Sequence, residues 1–157
     1  MRQKIILIGL ALVALFMGVG VQQWYTRDFV TLDGEAHRWR SYQGQWVVVN
    51  YFAEWCAPCL REIPELNKFA QMTEDTDISL FGVSFDRLPE QELEALAQKY
   101  AINFPLIRTE PPPMMPNERP NSLPATFIIG PDGQVVRQLM GEQEAEILLK
   151  VIERLSE

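Results

Sequence analysis

Cysteine and histidine are almost absent from this chain: two cysteines and one histidine among 157 residues. That scarcity excludes a structural zinc site, which takes about four such ligands. Basic residues are also few, 14 against 21 acidic ones, for a net charge of −7. Every acidic residue lies at or beyond Asp28, whereas Arg2 and Lys4 sit at the extreme N-terminus. The part beyond them holds 12 basic against 21 acidic residues, a net of −9. Nucleic acid needs a basic face for its phosphates, so it is excluded as a partner. Internal repeats and a second domain are missing too. The 47% apolar content suffices for one core and for nothing fibrous or disordered.

Long apolar runs are lacking, with one exception. Residues 5–21 are uncharged and apolar, preceded by Arg2 and Lys4. Seventeen residues is the short end of the roughly 17–25 that span a bilayer. Basic residues ahead of the run hold the N-terminus in the cytoplasm and send the remainder across. Trp24 and Tyr25 fall at the depth of an interfacial aromatic belt. A cleaved signal peptide is the rival reading, with Gly18-Val19-Gly20 as its small-residue site. The absence of alanines there favours an uncleaved, single-pass anchor in the inner (cytoplasmic) membrane. Residues 1–27 are therefore expected to be anchor and short tether, and 28–157 a domain on the periplasmic side. Either reading puts the cysteines in an oxidising compartment.

Within the exported part, "DFVTLDGEAHRWRSYQGQ" reads as short extended pieces around an Asp33-Gly34 turn. Residues 46–52 (WVVVNYF) and 78–84 (ISLFGVS) are apolar on both faces, as buried central strands are. A helix is predicted over residues 58–72, with Leu60, Ile63, Leu66 and Phe69 toward the core. Pro89 opens a second helix, with Leu93, Leu96 and Ala97 on its stripe. Residues 104–107 could be strand or loop, and the Pro-rich 109–122 cannot be helix. Residues 126–129 and 134–140 flank Pro131-Asp132-Gly133 as a hairpin. A last helix carries Ile147, Leu148, Val151, Ile152 and Leu155. This order predicts an α/β fold whose mixed sheet starts parallel and finishes antiparallel.

The two cysteines stand together in "NYFAEWCAPCLREIP". A disulfide between residues this close constrains the unfolded chain little, so a structural staple gains almost nothing. A redox couple gains much. Cys56 follows a buried strand and opens a helix, where free N–H groups and the helix dipole favour thiolate over thiol. In such motifs the thiol pKa falls from about 8.5 to between about 3.5 and 7.5. Cys56 is expected to be the exposed nucleophile and Cys59, one turn in, the buried resolver of a mixed disulfide. Pro58 removes an N–H where none is needed, and Pro64 is expected to kink the helix. Trp55 reads either as an apolar plate beside the sulfur or as core filler. The pair is its own redox group, so neither cofactor nor metal is expected.

"AEWCAPC" after an apolar strand, with Pro64 beyond and "Leu123-Pro124-Ala125-Thr126" before the hairpin, resembles the thioredoxin superfamily. The anchor, "CLREIPEL" and "FGVSFDRLPEQELEALAQKYAINFPL" are similar to its membrane-anchored TlpA/ResA/DsbE-type branch. The resemblance covers residues 28–157 and implies a thioredoxin-like fold, with Pro124 cis and packed, beside Leu123, against the cysteine pair. Peroxiredoxins, of the same fold, place a threonine three residues before their cysteine; here that residue is Ala53. Copper-delivery modules of the superfamily carry one more residue between their cysteines and a late histidine. Neither is present, although Met114 and Met115 could supply soft ligands for Cu(I).

Thioredoxins bury an aspartate beneath the cysteines, and the matching residue here, Asn50, cannot titrate. Glu62 lies one turn beyond Cys59 and about 60° round the helix from it. It matches the glutamate that TlpA/ResA-type reductases keep near their cysteines. The expectation is that Glu62 moves the Cys59 proton and Asn50 supplies hydrogen bonds. The alternative is an exposed helix glutamate beside Arg61 and Glu65. Glu54 and His37 read as surface, without a role. The resemblance further implies a reductant of disulfides in exported proteins, apocytochrome c among the candidates. A thiol-transporting membrane protein would keep it reduced. An oxidant or isomerase, a copper-delivery or assembly module, and a membrane-tethered holdase are the other readings. Met114, Met115 and their neighbouring prolines are expected to form an apolar lip for a peptide substrate.

Overall fold

A computed structural model describes residues 27–157, and the expected anchor of residues 5–21 lies outside them. Among the described residues no helix is long and apolar enough to cross a membrane. Two short strands, β1 (Phe29–Val30) and β2 (Ala36–His37), pair antiparallel around the Asp33-Gly34 turn. A 3-10 turn at Trp39–Tyr42 follows, then β3 (Trp46–Phe52) and helix α1 (Ala57–Met72). Next come β4 (Ile78–Ser84), α2 (Glu90–Lys99), β5 (Leu106–Ile107), β6 (Ala125–Ile129), β7 (Val135–Met140) and α3 (Ala145–Leu155).

The main sheet has the order β5-β4-β3-β6-β7. The β5-β4 and β4-β3 pairs are parallel, while β3-β6 and β6-β7 are antiparallel. This is the predicted parallel start and antiparallel finish, and residues 104–107 contribute the short edge strand β5. Parallel neighbours need a crossover, which α1 and α2 supply. The thioredoxin-like α/β fold follows directly from this order. Helix α1 runs through Pro64, whose ring leaves the Leu60 carbonyl without its usual helical donor.

Alternation along β3 divides the interior into two cores. Val48 and Phe52 face the helices, packing with Ile63, Leu66, Phe69, Leu93, Leu96, Leu148 and Ile152. Val47, Val49 and Tyr51 face the other way, with Phe29, Phe81, Phe127 and Ile129. No helix covers that second side among the described residues. Trp39, Tyr42 and Met115 close it instead, so the N-terminal pieces and the Pro-rich segment act as its lid.

Two expected placements are corrected, those of Ile147 and His37. Ile147 is 50% exposed, because the buried stripe of α3 runs through Ala145, Leu148 and Ile152 instead. Leu60 and Ala97 are half-buried and pack against the helix-side core, as their stripes predict. His37 is in strand β2 and belongs to an aromatic cluster, stacked 4.9 Å from Phe29. The Thr31 hydroxyl donates to Asp33 at 2.6 Å and meets His37 Nε2 at 3.0 Å. Tyr42 Oη lies 2.8 Å from His37 Nδ1.

Candidate active site

The C-terminal ends of β3 and β4 meet the start of α1, and the cysteine pair sits there. Cys56 is the N-cap of α1, with extended backbone at φ −94° and ψ 90°. Its Sγ accepts the backbone N–H of Cys59 at 3.3 Å. An N–H aimed at sulfur from a helix N-terminus stabilises negative charge there. Pro58 occupies the first turn, where its missing N–H leaves no vacancy. Cys56 and Cys59 are joined as a disulfide with their Cα atoms 5.3 Å apart.

Cys59 is fully buried, as expected of a resolver, but Cys56 is only 5% exposed. The expected open exposure of Cys56 is therefore corrected. Both sulfurs belong to the helix-side core, tied together and capped by the helix start. Trp55 is 66% exposed, which removes its core-filler reading. Its Nε1 donates to Asp86 at 2.8 Å and its ring meets Phe85 edge-on at 6.1 Å. The indole is thus a fixed plate at the surface immediately before Cys56.

Glu62 is the buried carboxyl of the site, 1% exposed. The exposed-glutamate alternative is thereby excluded. One oxygen accepts from Asn50 Nδ2 at 2.8 Å and the other from the Gln143 backbone N–H at 2.9 Å. Burial pushes its pKa from the ordinary 4.5 to about 7, while these two hydrogen bonds pull it down and Glu142 adds to the rise. A carboxyl titrating near neutrality is matched to proton transfer at physiological pH. Cys59 and Glu62, three residues apart on α1, both face inward.

Asn50 projects from β3 on the same side and also donates to Thr126 Oγ1 at 3.0 Å. The bond to Thr126 reaches β6, which is antiparallel to β3 with Thr126 opposite Asn50. Pro124 lies just before that strand, at the end of β3 that leads into Cys56. The Leu123–Pro124 peptide bond is cis, and so is Glu110–Pro111. Leu123 packs against the core that contains both cysteines, and the Pro124 carbonyl accepts from Gly141 N–H at 3.0 Å.

Glu54 is at the surface, paired with Lys99 at 2.8 Å. The two methionines part company. Met114 is 61% exposed and its carbonyl accepts from Trp39 Nε1 at 2.6 Å, whereas Met115 packs into the second core. Thr126 was read only as part of the stretch before the hairpin, without its bond to Asn50, and Gln143 escaped the sequence reading. Gln143 acts through its backbone, which no side-chain pattern reveals.

Residues 23–138 match the AhpC/TSA family. The chain belongs to the AhpC/TSA family. Among characterised relatives, thiol-disulfide oxidoreductase ResA of Geobacillus thermodenitrificans is 27% identical over 130 residues, covering 82% of this chain and 74% of that protein. StoA from Bacillus subtilis superposes with a TM-score of 0.66 at 21% identity, covering 78% of this chain and 92% of its own. MTB dsbF, in mixed oxidized and reduced forms, gives 0.67 at 22% identity, over 83% and 95%. At these identities the solved structures speak for the fold. Family, thioredoxin fold and Cys56–Cys59 disulfide together make the chain a thiol-disulfide oxidoreductase.

Proposed function

We propose that the chain is an exported, membrane-tethered reductase of disulfides in exported proteins, with residues 1–27 as anchor and tether and 28–157 as the periplasmic domain. Cys56, once reduced, attacks one sulfur of a substrate disulfide and displaces the other as thiolate. Cys59 then attacks Cys56 in the mixed disulfide, which frees the second substrate sulfur and restores the Cys56–Cys59 bond. Two electrons pass to the substrate. A dithiol of a thiol-transporting membrane protein returns them, and the cysteine pair needs no further cofactor.

One observation carries this reading: a buried carboxyl, Glu62, held by Asn50 and the Gln143 N–H behind a helix-capping cysteine. As carboxylate, Glu62 takes the proton of Cys59 when that thiol becomes the attacking group. It then returns the proton toward the departing substrate thiolate. Trp55, Leu123 and Pro124 form the rim against which the substrate segment rests. The anchor-like run at residues 5–21 and the resemblance to ResA support the location and the reducing direction. Apocytochrome c before haem attachment is the favoured substrate.

Equilibration with glutathione buffers tests the direction. A potential toward thioredoxin's, about −270 mV, is expected, and a value near the strong oxidants, about −120 mV, would overturn it. Mixed disulfides trapped on Cys56 in a Cys59→Ala variant would identify the substrates. Capture of cytoplasmic proteins alone would refute the exported location.

A further inference from the structure

The Pro-rich segment does more than close the second core. Between it and the C-terminal end of β4 lies an open cleft of about 330 Å³, lined by Tyr51, Phe85, Met115 and Arg119 among others. Arg119 lays its guanidinium 3.7 Å over the Phe85 ring and donates from Nη2 to the Phe85 carbonyl at 2.7 Å. That bond uses one of its five N–H donors. Arg87 is a second cation lining the cleft, on a chain whose net charge is −7.

The polar atoms of the cleft have unequal vacancies. Asn117 Nδ2 donates to Tyr51 Oη at 3.1 Å and to the Glu118 carbonyl at 2.9 Å. The carbonyl can only accept, which fixes the amide orientation. Two consequences follow. Tyr51 accepts from Asn117 and keeps its own hydroxyl proton to give. Asn117 Oδ1 is buried without a partner. Burial also raises the Tyr51 pKa, so the phenol stays a donor, and Arg119 is close enough to oppose that rise.

We propose that this cleft is a substrate subsite for an extended peptide segment carrying an acidic side chain. The carboxylate meets Arg119, Arg87 and the Tyr51 hydroxyl, and the rings of Phe85 and Tyr51 with Met115 give the rest of the segment an apolar wall. Phe85 joins the cleft to the redox centre, since its other neighbour is the Trp55 ring at 6.1 Å. A segment held there lies beside the plate that precedes Cys56. The subsite rests on the disulfide-exchange reading and adds selectivity for acidic sequence near the attacked cysteine.

The test separates the two. The full-length oxidised protein is titrated by NMR with a cysteine-free, end-capped alanine-rich hexapeptide bearing one central glutamate, and with its glutamine twin. A charge-assisted hydrogen bond in a shielded site is worth about tenfold or more in affinity. The glutamate peptide should bind at least about tenfold tighter, shift the Tyr51, Asn117 and Arg119 signals, and weaken with added salt. Arg119→Gln should erase most of that preference, and Tyr51→Phe should reduce it should the arginine variant prove unstable. Equal binding of the twins, or no shift at those residues up to the solubility limit, overturns the subsite. Disulfide-linked versions of both peptides then supply kcat/KM ratios. Exchange without acidic preference would sink the subsite alone, while loss of all exchange would sink the redox reading and leave the binding result standing.

Discussion

Glutamine at position 62 should remove a pH-linked destabilisation from the fold. In the native protein the Glu62 pKa is about 7, with burial as the main cause. In the unfolded chain it returns to the ordinary 4.5. Between those values the native state holds a proton that the unfolded state has released. Stability therefore falls as pH rises through this window. It is fully present below the lower value and lost above the upper one. At about 1.36 kcal/mol per pKa unit, the gap amounts to roughly 3 kcal/mol. A small domain has about 5–15 kcal/mol in all, so the effect is large.

The substitution can be accommodated. Rotating the Asn50 amide would bring its unpartnered Oδ1 to face a glutamine N–H and the Thr126 hydroxyl, while the glutamine oxygen still accepts from Gln143 N–H. Urea unfolding of the oxidised protein at pH 4 to 9 supplies the assay, because neither thiol titrates in the disulfide form. Wild type should lose about 3 kcal/mol relative to Glu62→Gln across the range. A difference that stays flat with pH would refute a buried, neutral-range carboxyl at this position.

In the reduced protein, Glu62→Gln should slow resolution by Cys59 about a hundredfold at pH 8, and the rate's rise through pH 7 should vanish. Stopped-flow decay of a mixed disulfide reads this, and an unchanged pH profile rejects proton transfer by Glu62. Ala101 has φ 51° at the end of α2, where Ile102 N–H bonds to Ala97 and Ala101 N–H to Gln98. That is the Schellman arrangement with alanine in the glycine position. Ala101→Gly should raise stability by about 0.5–1 kcal/mol in urea titration, because relief of the left-handed strain exceeds the added chain entropy. A Cβ at Gly82 would meet Leu106 Cδ2 at 2.5 Å and Phe104 at 2.8 Å, both buried. Gly82→Ala should cost about 1–3 kcal/mol, and a neutral result would show that β5 yields freely.

The elements whose residues announce a period were legible in the sequence. Strands β3 and β4 match their runs residue for residue, since both faces of each are buried along most of their length. Helix α1 was off by one residue because Cys56, not Ala57, has the extended backbone of a cap. Ile147 misled because hydrophobicity was taken as orientation, while the buried stripe of α3 is centred on Ala145, Leu148 and Ile152. His37 misled for the opposite reason. A polar residue in a short strand is half-buried here among aromatic neighbours that only the folded chain assembles. At the site, the strand–helix junction and helical spacing placed Cys56 and Cys59, while Glu62 was left between an exposed and an inward reading that only the resemblance separated. The links through Gln143 N–H, Thr126, Phe85 and Arg119 span many residues and leave no periodic mark.

Strand β3 shows why the two halves of the site can be tuned apart. Asn50 points to the helices and holds Glu62, while Tyr51, its neighbour, points to the opposite side and holds Asn117. Thioredoxins put a titrating aspartate on the strand itself, which fixes its environment to that of the sheet. Here the strand keeps a neutral amide and the carboxyl is on α1, one turn from Cys59. Its pKa can then be set by what α3 and the Gly141–Glu144 turn place around it, as Gln143 and Glu142 do. Recognition, in the proposed subsite, is drawn from the other face and from a segment no helix constrains. Substitutions at 112–119 should therefore change which substrates are reduced and leave the Glu62 titration where it is. A coupled change in both would mean that β3 transmits strain between its faces, and the division would fail.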